Sequence, residues 1–129
     1  LGAAAAAAWC FLVSPNRALR GRAAESLPQI QFANIIRETP NATLLNYGTL
    51  DGGFYTAAGV LPPCRYFCVT NMPLQEQQQR DLLADAAVDY VAALTGDLQN
   101  DYPAYHCIAS QTYNGGEGEV TWYLYAKTK

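Results

Sequence analysis

The residues of this sequence best placed to meet a ligand are Asn46, Tyr47, Asp51, Gly52, Gly53 and Tyr55, which surround a glycine-rich turn after a short apolar run. Backbone N–H groups at a helix start attract anions, and ligands of open α/β sheets bind beyond the carboxyl ends of strands. Asp51-Gly52-Gly53 ahead of a short helix suits that role. The turn has neither the Gly-Lys-Ser/Thr of a Walker loop nor the Gly-x-Gly-x-x-Gly of dinucleotide folds. A structural role is the alternative, with Asp51 capping the helix while the glycines permit a tight turn and close packing.

The other reactive residue types point to no catalytic residue, no metal and no cofactor. Cys10 lies in an apolar run and reads as a small hydrophobe. Cys64, Cys68 and Cys107 are candidates for a disulfide if the domain faces an oxidising compartment, with buried thiols as the alternative and the pairing open. The single histidine, His106, stands beside Cys107, but the cysteine and histidine pairs lack zinc-site spacing. Serine catalysis would need a Gly-x-Ser-x-Gly elbow, which is absent. Asp81, Asp85, Asp89, Asp97 and Asp101 are spread over several elements and read as a solvated face. Asn41-Ala42-Thr43 matches the short acceptor pattern for glycosylation.

The elements that must position these residues follow from apolar spacing and breakers. Ser26 is a candidate cap two residues before Pro28, and Ile30, Ala33 and Ile36 continue at helical spacing until Thr39-Pro40-Asn41. Residues 42–47 read as a buried strand and 54–58 as a short helix ended by Gly59. Residues 65–69 are a second strand candidate. A strong helix runs over 74–86, and 88–94 reads as a further strand. After a loop around 100–103, strands at 105–113 and 119–126 flank a glycine-rich turn and make a hairpin. This order predicts an α/β fold, a small three-layer sandwich with a mostly parallel sheet and a C-terminal antiparallel hairpin, preceded by an Ala-rich apolar helix.

Three segments result: 1–16 as the end of an apolar, membrane-type helix, 17–27 as a linker, and 28–129 as the domain. Residues 1–13 carry no charge but fall short of the roughly 20 apolar residues of a full span. They fit the end of a membrane helix, a signal-peptide remnant or a helix packed on the domain. Opening on Leu1 rather than Met, the chain is expected to continue further upstream. The net charge of −3 removes the electrostatic footprint of a nucleic-acid binder.

Residues 38–59, running from Glu38-Thr39-Pro40-Asn41 through Asn46-Tyr47-Gly48-Thr49-Leu50-Asp51-Gly52-Gly53-Phe54-Tyr55 and continued by Arg65-Tyr66-Phe67-Cys68, resemble the C-terminal soluble domain of a bacterial family. These are polytopic membrane proteins similar to polyprenyl-phosphate-sugar (mannosyltransferase-like) glycosyltransferases, and the resemblance extends over about residues 14–125. It implies an accessory, non-catalytic domain on the extracytoplasmic side of the cell membrane, near lipid-linked sugar or a protein acceptor. The catalytic carboxylate of such enzymes lies in the membrane part, so no residue here inherits it. Arg17, Arg20 and Arg22 after the apolar run favour the cytoplasmic side instead. A small-ligand or protein-binding module unrelated to glycosyl transfer is the second reading, and an independent hydrolase the third.

Overall fold

The computed structural model describes residues 2–14, 21–65, 74–114 and 118–128. Helix α1 (Gly2–Val13) stands first, followed by a 3-10 turn (Ala24–Ser26) and α2 (Pro28–Ile36). Then come β1 (Leu44–Tyr47), α3 (Phe54–Ala58), α4 (Leu74–Ala84), β2 (Tyr90–Ala93), α5 (Leu98–Asp101), β3 (Tyr105–Asn114) and β4 (Glu119–Lys127). The strands form one sheet in the order β1-β2-β4-β3.

Helices and a mixed four-stranded sheet make this an α/β fold. Where a mostly parallel sheet is expected, β1 and β2 are parallel and the β2–β4 and β4–β3 pairs are antiparallel. The physical reason is the hairpin: β4 returns beside β2 and pairs with it directly, so the parallel crossover reaches only one pair. The strand candidate at 65–69 lies outside the described residues except for Arg65, which sits in a bend. Two smaller differences are local. Ser26 donates to Ala23 O inside the 3-10 turn, leaving Leu27 as the cap of α2. The loop after β2 contains the extra turn α5, whose Leu98 is buried.

Alternation along the strands feeds two cores. Leu44, Ala92, Trp122 and Leu124 pack with Phe32, Ala33 and Ile36 of α2 and with Phe54, Tyr55 and Ala58 of α3. Leu45, Val91, Ala93 and Tyr125 pack with Leu83 of α4, Leu98 of α5 and Tyr105. Phe54 stacks on Phe32 with centroids 5.6 Å apart and meets Trp122 edge-on at 4.6 Å. Aromatic pairs of this kind add about 0.5–1.5 kcal/mol beyond burial, so α2, α3 and β4 are locked together here. In the second core, Tyr105 donates its hydroxyl to Val88 O at 3.1 Å, and Tyr125 donates to Thr95 O at 2.7 Å.

Helix α1 is different. None of its residues is buried, and Trp9, Phe11, Leu12 and Val13 are exposed. No helix among the described residues is long and apolar enough to cross a membrane.

Candidate functional site

The turn after β1 is built from its own polar groups. Asn46, fully buried on the α2–α3 face, donates its side-chain amide to Thr49 Oγ1 at 3.0 Å and to Leu50 O at 2.8 Å. Its Oδ1 is buried with no hydrogen-bond partner among the described residues. The backbone N–H of Asn46 donates to the buried Tyr55 hydroxyl at 2.9 Å. Asp51 Oδ1 accepts from Gly53 N–H at 2.9 Å, the side-chain turn typical of aspartate. The residue that leads into α3 is Gly53 itself, at φ 81, with no side-chain cap. Gln29 of α2 closes the turn by donating to Gly52 O at 2.9 Å. Gly52 answers a packing need: a Cβ there would stand 2.7 Å from Phe54 Cε2 and 3.2 Å from Trp122 Cη2.

Asn46, Asp51, Gly52, Gly53 and Tyr55 are therefore brought together, and each has a role in holding the turn. Tyr47 points to the opposite face. Its ring meets Tyr102 edge-on at 6.3 Å. Burial, followed by a hydrogen bond and electrostatic contact with Tyr102, pushes its hydroxyl pKa up to about 12, so Tyr47 is a neutral donor at physiological pH. Of the disulfide candidates, Cys107 is an exposed free thiol on β3, Cys64 is half-buried in the loop after α3, and Cys68 lies outside the described residues.

A second group of polar side chains gathers at the other end of the sheet, where no ligand contact is expected from sequence. In the register Ala126 faces Tyr90 on one side and His106 on the other. A methyl group flanked by two rings leaves a hollow, and this row forms part of an open cavity of about 620 Å3. Thr39, Asp89, Lys127 and Thr128 complete its lining. Thr39 and Tyr90 share a hydroxyl hydrogen bond of 2.7 Å, and Thr128 Oγ1 lies 3.4 Å from His106 Nδ1.

Asp89 is fixed with care. Its Oδ2 accepts from Thr43 N–H at 2.8 Å and from Thr43 Oγ1 at 2.7 Å, while its own N–H donates to that hydroxyl at 2.9 Å. These bonds, led by the Thr43 hydroxyl and helped by the nearby charge of Lys127, hold the carboxyl below its ordinary range. Among the described residues no three His, Cys, Asp or Glu side chains converge as a metal site.

No family model, curated protein or solved structure matches the chain. The site must therefore be read from its own geometry. Two features missed at the level of sequence stand out, the Asp89–Thr43 clamp and the cavity beside it. The only sequence signal for the clamp is a threonine one position before one strand and an aspartate one position before the next. The signal for the cavity is a lone small residue in an otherwise bulky last strand. Neither has meaning until the register is known.

Proposed function

We propose that this chain is a membrane-tethered accessory domain, held to the bilayer through α1 and non-catalytic in itself. The observation that carries this reading is α1. It is apolar around its whole circumference and buries no residue against the domain. A helix without a polar face finds its favourable environment in a protein core or in lipid. With 12 residues and a rise of 1.5 Å each, α1 reaches about 18 Å, roughly the depth of one leaflet. The internal bonding of the turn after β1 agrees with a non-catalytic role, since its side chains hold the loop.

On the sequence resemblance, we read such a domain as the end of a glycosyltransferase-like membrane protein, on the extracytoplasmic side, where it would hold a lipid-linked sugar or a protein acceptor near the bilayer. It would have no part in nucleic-acid binding. We read its scaffold as three layers, the sheet between two helical faces. The cavity beside Asp89 favours a second reading, a small-ligand-binding module independent of glycosyl transfer.

The test of the tether is flotation of the full chain with vesicles of phosphatidylcholine and phosphatidylglycerol. The chain is expected to float with the vesicles, and Trp9 emission to shift to shorter wavelength. The double variant Phe11→Glu, Leu12→Glu is expected to stay at the bottom of the gradient. Equal partitioning of chain and variant would remove the tether reading.

A further inference from the structure

The sheet has two edges, and they are finished differently. On β1, buried side chains take the place of a neighbouring strand: the Tyr55 hydroxyl accepts from Asn46 N–H at 2.9 Å, and Gln79 Oε1 accepts from Gly48 N–H at 3.2 Å. On β3, the opposite edge, the side chains that reach backbone carbonyls belong to the strand itself. Gln111 Nε2 donates to Thr112 O at 3.2 Å, and Cys107 Sγ to Ala109 O at 3.5 Å. Among the described residues no element other than β4 bonds the backbone of residues 109–113. In an edge strand every second pair of N–H and C=O groups points away from the neighbour, and Lys, Pro, short length or a bulge ordinarily protects them. β3 has 10 residues and contains no Asp, Glu, Lys, Arg or Pro. Its one irregularity lies between Cys107 and Ala109, so the regular and open stretch is 109–114.

The register with β4 fixes the two faces of this stretch. Ala109, Gln111 and Tyr113 oppose Leu124, Trp122 and Val120 on the face of α2 and α3, while Ser110 and Thr112 oppose Tyr123 and Thr121 on the other. We propose that the β3 edge pairs with the same edge of a second copy of this chain, antiparallel and two-fold symmetric about Gln111. A two-fold axis normal to the sheet keeps each face continuous across both copies. Residues directly opposite in an antiparallel pair share a face, so the axis must pass through a residue position. Centred on Gln111, it sets Ala109 against the partner's Tyr113 and Ser110 against the partner's Thr112. Small meets large on one face and hydroxyl meets hydroxyl on the other. At the axis stand two carboxamides, each both donor and acceptor, and no like charges meet. An unrelated extended peptide could use the backbone groups, but this side-chain match belongs to the strand's own sequence read in reverse. The contact is isologous and closes on itself, and with β1 finished by side chains the association stops at two. The inference rests on the sheet register and does not depend on the membrane reading.

The experiment is sedimentation equilibrium of the full chain carrying Phe11→Glu and Leu12→Glu, which removes the apolar surface of α1 as a source of association. A monomer–dimer equilibrium with no larger species is expected at micromolar to millimolar concentrations. Added to this chain, Gln111→Lys or Gln111→Glu places like charges at the axis, and each alone should weaken the dimer about tenfold or more. An equimolar mixture of the two should restore it, because only a residue on the axis faces its own copy. A second measurement needs no change at Gln111. In hydrogen exchange, the amides of residues 109–113 that point away from β4 should slow as protein concentration rises, and this arm decides if the Gln111 variants do not fold. A chain that stays monomeric to millimolar concentration overturns the proposal. So do larger assemblies, exchange at 109–113 that ignores concentration, a dimer that Gln111→Lys leaves intact, or a mixture no tighter than either variant alone.

Discussion

Asp89 shows how one side chain can change meaning between sequence and fold. In the sequence it belongs to a loose acidic series and reads as solvated. In the fold it joins the starts of two parallel strands, because Thr43 offers a backbone N–H and a hydroxyl at hydrogen-bond distance. Its folded pKa lies below the ordinary value of 3.8. As pH falls below that value, the unfolded chain takes up the proton first, so the clamp's contribution is complete above it and is lost as pH drops towards the folded pKa. Asp89→Asn should flatten this acid limb and lower stability at neutral pH by about 1 kcal/mol, since Asn retains one acceptor and the site is partly solvated. Urea unfolding at pH 7, 5 and 3 measures both effects. An acid limb as steep in the variant as in the unmodified chain would assign the pH dependence to another carboxylate. The neighbouring Ala126 could not have been singled out at all, because a small residue becomes a cavity floor only when its two cross-strand partners are known.

Among the elements, β1 carries the sharpest physical problem. Among the described residues it is one of the two edge strands, with β3 at the other side, and an edge exposes unpaired N–H and C=O groups. Thr43 O accepts from Asp89 and Tyr90 on the β2 side, so the groups of Asn46 and Gly48 face outward. Side chains complete them. The Tyr55 hydroxyl accepts from Asn46 N–H, Gln79 Nε2 donates to Asn46 O at 3.5 Å, and Gln79 Oε1 accepts from Gly48 N–H at 3.2 Å. Gln79 is fully buried and acts as a substitute for a neighbouring strand's peptide group. Gln79→Leu should therefore cost about 1–3 kcal/mol by leaving the outer edge unsatisfied. Hydrogen exchange should show faster loss of the Gly48 amide than in the unmodified chain, and unchanged protection at Gly48 would mean that another group covers the edge. The strands and helices with clear apolar spacing, such as α2, β1 and the hairpin, were legible because periodicity and breakers are local signals. The strand order was not, since a hairpin written last in sequence can pair in the middle of a sheet. Gln79 was equally invisible, one glutamine among several on a helix whose buried side depends on the partner it meets.

At the scale of the whole molecule, the chain divides into a helix with no buried residue and a domain with two cores, and this division has a thermodynamic consequence. If α1 contributes no buried surface to the domain, changing its polarity alters partitioning into lipid and leaves folding stability where it was. The two tryptophans separate these effects, because Trp9 is 66% exposed on α1 while Trp122 is 6% exposed within the α2–α3 core. In the variant Trp9→Glu, Phe11→Glu, Leu12→Glu, the remaining Trp122 reports on the domain alone. Its urea midpoint is expected to match that of the single variant Trp9→Phe, with equal slope, since the surface exposed on unfolding is the same. A midpoint lowered by an amount equivalent to more than about 0.5 kcal/mol would show that α1 packs on the domain in solution, because substitutions at exposed surface positions ordinarily stay within that limit. Equal midpoints together with lost flotation would assign the apolar face of α1 to lipid, and the sheet with its helices would then be free to present the Asp89 cavity independently of how the chain is anchored.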